Sequence, residues 1–143
     1  MANSRSSLDL ASDIRMKSLF QHIRRHYLSP RNRVIGLGSG KTVAAIVSQI
    51  GTLPNRQSLK FIVTSLQIKL EAERNKLNVV DEDGASDIHI LFDGADQVDS
   101  EYHMIKGGGG ALFREKILFS VARKIVILAD SSKYSHKLNR SVP

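Results

Sequence analysis

The chain has 143 residues, 41% of them hydrophobic and 24% charged, enough for one globular domain with a proper hydrophobic core. It has no cysteine, which excludes disulfides and thiolate chemistry, and no apolar run reaches the ~18 residues of a membrane span. Its net charge of +7 admits nucleic acid, an anionic membrane surface or an anionic metabolite as partner. The basic residues are scattered, with small clusters at Arg24-Arg25 and over 137–140. Aromatics are only 6%, tryptophan is absent, and no zinc-finger or aromatic-basic spacing occurs. A basic solvated surface therefore outranks nucleic-acid binding. The polar N-terminus, with Asp9, does not read as a signal peptide, so the expected compartment is the cytosol.

Residues 1–12 are serine-rich and predicted to be flexible. Ser12 or Asp13 caps a predicted helix to about residue 27, with Met16, Leu19, Phe20, Ile23 and Tyr27 on one face and Pro30 as its stop. A strand at 33–37, a glycine turn at 36–40 and a helix at 42–50 follow. Next come a strand at 60–64, a charged helix at 66–77 and a short strand at 78–81. A strand at 87–92 runs into an acidic turn at 93–99, followed by a helix at 111–122 and a buried strand at 124–129. This alternation predicts an α/β domain over 13–143, with a mostly parallel sheet and no internal repeat or linker. In such sheets ligands bind beyond the carboxyl ends of the strands. The informative segments fall there, at 36–42, 64–67, 93–99 and 130–133.

Four consecutive glycines, Gly107 to Gly110, stand between Lys106 and the predicted helix bearing Glu115. Glycine loses much backbone entropy on ordering, so such a run suits a place where the backbone must approach a ligand closely. On its helix Glu115 neighbours Ala111, Leu112, Leu118 and Phe119, an apolar setting. A carboxylate there serves as a general base with Lys106 as counter-charge, or it reaches the rim and pairs with Arg114 or a neighbouring lysine.

Gly36-Leu37-Gly38-Ser39-Gly40-Lys41-Thr42 joins a strand to a helix, whose N-terminal N–H groups attract phosphate. A Walker A loop would need glycine at Ile35, and a dinucleotide fingerprint would need it at Lys41. Both patterns fail, which leaves a smaller phosphate ester or a structural turn. Asp93, Asp96 and Asp99 crowd three carboxylates after a strand, for acid–base work, for hydroxyl binding or as a solvated turn. No histidine joins them at metal-ligand spacing, so no metal site is expected. Asp130-Ser131-Ser132-Lys133 offers a lysine and serines at the last strand end, a weak phosphate motif alone.

Taken together, these segments resemble the type A ribose-5-phosphate isomerase family. The resemblance rests, in order, on Ile35-Gly36-Leu37-Gly38-Ser39-Gly40, Thr64-Ser65-Leu66-Gln67, Asp93-Gly94-Ala95-Asp96, Ile105-Lys106-Gly107-Gly108-Gly109, Arg114-Glu115-Lys116 and Ala129-Asp130-Ser131-Ser132-Lys133. It implies a Rossmann-like three-layer domain and a cofactor-free, metal-free interconversion of ribose 5-phosphate and ribulose 5-phosphate in the pentose phosphate pathway. It further implies Glu115 as the proton-shuttling base, with Lys106 and the N–H groups of Gly107, Gly108 and Gly109 stabilising an enediolate. Asp93 and Asp96 would hold sugar hydroxyls and assist ring opening. Gly38, Ser39, Gly40, Thr42, Lys133 and Lys17 would lie among the substrate and phosphate contacts. A homo-oligomer, dimer or tetramer, is implied as well.

The chain departs from the family at Gln97, where an acid is usual, and at Lys41, where a small hydroxyl residue is usual. Ile68 to Glu73 is only loosely family-like. The chain stops at Pro143, before the small C-terminal α+β domain that the resemblance implies, so a catalytically incomplete fragment or a binding module of isomerase ancestry is the competing expectation.

Overall fold

The computed structural model describes residues 7–29, 31, 33–81 and 87–139. Helix α1 spans Ser7–His26, β1 Val34–Leu37, α2 Lys41–Ile50, β2 Lys60–Val63 and α3 Leu66–Arg74. Strand β3 spans Ile90–Gly94, β4 Gln97–Val98, β5 Met104–Ile105, α4 Leu112–Val121 and β6 Ile125–Leu128. Short 3-10 turns sit at Arg56–Ser58 and Ser131–Lys133.

The parallel sheet has the spatial order β2-β1-β3-β6. Val79 adds an isolated parallel bridge to Phe61 outside β2, where a short strand is predicted. The chain thus winds outward from β1 through β2 to Val79, then returns to β3 and β6 on the other side. The reversal between β1 and β3 opens a crevice at their carboxyl ends, the usual ligand position in a doubly wound sheet.

The periodicities explain the layers. Val43, Ile46, Val47 and Ile50 recur at three- and four-residue steps and bury one face of α2. Ile68 and Ala72 do the same for α3, and Phe20 and Ile23 for α1. These three helices pack over Ile35, Leu37, Phe61, Ile90 and Phe92 on one sheet face. On the other face Ile62, Ile88 and Leu91 meet Leu118 of α4. That layer is thin: along α4 only Glu115 and Leu118 are buried, while Leu112, Phe113, Ile117 and Val121 are exposed. No helix among the described residues is long and apolar enough to cross a membrane.

Three sequence expectations need correction. Helix α1 begins at Ser7 rather than at Ser12 or Asp13, because Leu8, Leu10 and Ala11 are good helix formers that extend it N-terminally. Residues 7–12 of the predicted flexible segment are therefore helical, and residues 1–6 lie outside the described ones. Helix α3 ends at Arg74 rather than near Leu77, because Lys76 turns left-handed at φ 55°. The predicted acidic turn is part strand: β3 runs through Asp93 to Gly94, and Gln97–Val98 pairs antiparallel with Met104–Ile105.

Candidate active site

A cavity of about 430 Å³ opens at the carboxyl ends of β1, β3 and β6. Four sequence segments supply its walls. The β1–α2 loop brings Ser39, Gly40, Lys41 and Thr42, and the end of β3 brings Asp93 and, past it, Asp96. The glycine loop and α4 bring Lys106, Gly107, Gly109 and Glu115, and the β6 end brings Asp130, Ser132 and Lys133.

Its centre is one lysine between two buried carboxylates. Lys106 Nζ lies 2.9 Å from Asp93 Oδ2 and 3.4 Å from Glu115 Oε2, and it also donates to the Gly94 carbonyl. Asp93 is 1% exposed and Glu115 3%. The Ser39 hydroxyl donates to Glu115 Oε1 at 2.6 Å, so one oxygen of Glu115 takes a hydrogen bond and the other faces the Lys106 charge. Asp93 Oδ1 accepts the Gly94 N–H at 2.7 Å and the Ser39 N–H at 3.4 Å. Burial pushes the Asp93 carboxyl above its ordinary value of 3.8; Lys106 works against this by hydrogen bond and charge, Glu115 adds to it, and the Gly94 N–H opposes it. Two buried carboxylates that share one ammonium are each costly without it.

Backbone shape makes this arrangement possible. A Cβ on Gly38 would stand 2.0 Å from Asp93 Oδ1, so only glycine lets β1 pass that carboxylate. Gly107 has φ +99°, a conformation that turns the chain from β5 toward α4 and that side-chain-bearing residues avoid. Asp96 Oδ2 accepts the Gly108 N–H at 2.8 Å and so ties the glycine loop to the β3 end.

The phosphate-friendly groups gather toward α1. Gly40 precedes α2 without a side-chain cap, and the first N–H groups of a helix lack intrahelical partners. Lys41, Thr42 and Lys133 stand around that helix start. Thr42, Asp130 and Ser132 also face a neighbouring cavity under α1, whereas Lys106 and Glu115 also border an apolar one beside α4. The two groups therefore share the central cavity but border different neighbouring ones. Asp130 accepts both the hydroxyl and the N–H of Ser132, which hold it below 3.8; burial opposes them slightly, and Lys133 and Arg15 assist.

Most residues expected at the site meet here, with exceptions. Lys17 is exposed and lines neither this cavity nor the one under α1. The α1 face toward the site carries Ser12, Arg15, Met16 and Leu19. Lys17 is one residue past Met16 and is turned about 100° away. Gly38 and Gly108 shape the site from behind without lining it. Asp99 is not a cavity residue. Slight burial pushes it up, but the N–H and ring of His103 and the N–H of Glu101 outweigh this and hold it below 3.8. Gln97 is buried, and its Oε1 accepts the Asn139 N–H at 2.9 Å, a structural use for a position where an acid is usual in the resembled family. No sequence motif marks Arg15 or the Gly94 carbonyl, which face the cavity under α1 and the Lys106 ammonium respectively.

Residues 60–143 match the family model described as ribose 5-phosphate isomerase A (phosphoriboisomerase A). The chain is 40% identical over 139 residues to the ribose-5-phosphate isomerase of Schizosaccharomyces pombe, covering 96% of this chain and 51% of that protein. It is 42% identical over 112 residues to the ribose-5-phosphate isomerase A of Archaeoglobus fulgidus, covering 77% and 49%. Among solved structures, a D-ribose-5-phosphate isomerase in complex with phospho-erythronic acid superposes with a TM-score of 0.80 at 31% identity, covering 90% of this chain and 57% of that one. The ribose 5-phosphate isomerase A of Methanocaldococcus jannaschii gives 0.78 at 33%, covering 92% and 58%. The chain spans about half the length of the curated relatives it matches. With its doubly wound sheet and its shared sequence over 60–143, the chain belongs to the ribose 5-phosphate isomerase A family.

Proposed function

We propose that this chain carries the reaction centre of an aldose–ketose isomerase that interconverts D-ribose 5-phosphate and D-ribulose 5-phosphate through an enediolate. The observation that supports this most is Lys106 set between the buried carboxylates of Asp93 and Glu115 on the wall of an open cavity. Glu115 takes the proton from C2 of the open-chain aldose while electrons move onto the C1 oxygen, and then returns a proton to C1. The O2 hydroxyl gives up its proton and the O1 oxygen gains one, so no atom is lost. Lys106, with N–H groups of the glycine loop, stabilises the negative oxygen that develops. Asp93, which burial disposes to hold a proton, serves ring opening together with Asp96. Ser39 orients Glu115, while Thr42, Gly40 and Lys133 receive the phosphate.

A cavity lined both by the Lys106 group and by the start of α2 supports a substrate that carries a reactive carbonyl and an anionic group. The same reading places the protein in the cytosol as a homo-oligomer, and the exposed Leu112, Phe113 and Ile117 of α4 support such assembly. That uncovered face also favours the second reading, a binding module with an incomplete site. One experiment separates the two: conversion of ribose 5-phosphate by the purified chain, with phospho-erythronic acid binding measured alongside. Turnover, cut by roughly 10²–10⁴ in Glu115→Gln while binding persists, supports the isomerase. A folded chain that binds the acid without turnover supports the binding module.

A further inference from the structure

The sheet end away from the cavity carries a cluster that the isomerase chemistry does not use. In the spatial order β2-β1-β3-β6, the strands start at or just after Lys60, Arg33, His89 and Lys124. Backbone bonds align these starts: Lys60 N–H donates to the Arg33 carbonyl at 2.7 Å, His89 N–H to Val34 at 3.0 Å, and Leu91 N–H to Lys124 at 2.8 Å. Neighbouring strands stand about 4.8 Å apart, so basic side chains crowd one edge. Strand formation does not call for this. An exposed strand start accepts serine, threonine or an acid equally well, and like charges on adjacent strands repel.

Beside this edge lies a hollow of about 320 Å³ lined by Arg31, His89, Arg123 and Lys124, with no apolar side chain among them. Three of the four are held in place. Arg123 donates from Nε and Nη2 to the two oxygens of Asp87, each at 2.5 Å. Lys124 Nζ sits 5.6 Å from the centroid of the Tyr27 ring. His89 Nδ1 accepts the Val34 N–H at 3.3 Å, which leaves its Nε2–H as a donor. Among the described residues Asp87 offsets the charge of Arg123, and Arg31 and Lys124 add two more positive charges to the hollow.

We infer that this hollow binds a compact anion with two or more linked phosphoryl groups. Arg31 and Lys124, whose charges are not offset by Asp87, stand together in one hollow and reward a ligand with several charges over a monoanion, and the Arg31 guanidinium matches phosphoryl oxygens. The volume lies at the small end of ligand pockets, which favours a free oligophosphate over a polymer. The site is at the opposite end of the strands from the cavity and does not depend on what that cavity catalyses.

The test is calorimetric titration of the chain with inorganic triphosphate at low ionic strength. One equivalent binds the wild-type hollow and still binds Thr42→Ala/Lys133→Ala, in which the cavity end is disabled. Arg31→Ala/Lys124→Ala weakens binding by roughly tenfold or more. Lys69→Ala/Lys137→Ala, which removes the same charge elsewhere, leaves it unchanged. If the double variant loses its fold by circular dichroism, Arg31→Gln alone carries the test, since it disturbs neither the Asp87 pair nor the Tyr27 contact. The inference is overturned by any of three results: binding lost with Lys133, equal weakening in the Lys69/Lys137 control, or a single-stranded oligonucleotide binding the same residues more tightly than triphosphate.

Discussion

The two ends of one parallel sheet carry charge in contrasting ways. At the carboxyl end the central charges are buried, of both signs and in mutual contact, while Lys41, Asp130 and Lys133 at the rim are exposed: Lys106 is 15% exposed and touches Asp93 and Glu115, themselves nearly sealed. Among the described residues at the amino end they are mostly exposed and mainly of one sign, with Asp87 as the partner of Arg123. Burial makes each group at the first end depend on its neighbour, because a charge stripped of water needs its counter-charge. Exposure leaves each group at the second end nearly independent, because water and salt screen it. The first end suits chemistry that needs fixed geometry, and the second suits reversible capture of charge.

The contrast breaks most sharply at Lys106. Lys106→Met would leave Asp93 and Glu115 buried together without a cation, and a loss of about 3–5 kcal/mol in urea unfolding is expected, with turnover abolished. A loss below about 1 kcal/mol would mean that the pair is solvated and that the two ends are not different in kind. Gly38→Ala comes next. Its new Cβ would stand 2.0 Å from Asp93 Oδ1, so Asp93 must move, at a cost of about 1–3 kcal/mol and with reduced turnover. Unchanged stability in this variant would show that Asp93 has room the packing does not suggest.

Protonation offers a finer test. Because Asp93 is raised above 3.8, the native state holds its proton more tightly than the unfolded chain does. The stability it contributes is full below 3.8 and is lost as pH rises through its native value. Asp99 and Asp130 run the other way: both are lowered, so their contributions are present above 3.8 and are lost as pH falls through their native values. Asp93→Asn should therefore flatten the decline above 3.8 and leave the acid-side loss intact, read from urea midpoints across a pH series. An unaltered profile would remove Asp93 from the account. The smallest effect belongs to the amino end. Lys60→Ala should change stability by no more than about 0.5 kcal/mol and leave turnover alone, and a larger change would show that this edge is coupled to the core after all.

The sheet was legible because its strands are short apolar runs bounded by turn signals, so 33–37, 60–64 and 124–129 became β1, β2 and β6 nearly in place. Three of the four segments expected at the carboxyl ends, 36–42, 93–99 and 130–133, meet at the cavity as the parallel topology implies, whereas 64–67 does not line it. What stayed hidden depends on rotamers and on elements too short for a period. The β4–β5 ribbon has two residues per strand, too few to show alternation. The Ser39–Glu115 bond joins residues 76 apart and depends on two side-chain conformations. Lys17 matched by position, yet helix phase turns Arg15 rather than Lys17 toward the cavity under α1. The basic residues looked scattered along the chain because strand starts far apart in sequence meet only once the sheet forms.

The central claim is that Glu115 carries a proton between C1 and C2. The most direct measurement follows ribose 5-phosphate deuterated at C2, with the label tracked by NMR in wild type and in Glu115→Gln. The account predicts that wild type moves the label to C1 or releases it to water, and that folded Glu115→Gln does neither. Label loss from C2 at an undiminished rate in Glu115→Gln would contradict it and assign the proton transfer to another group.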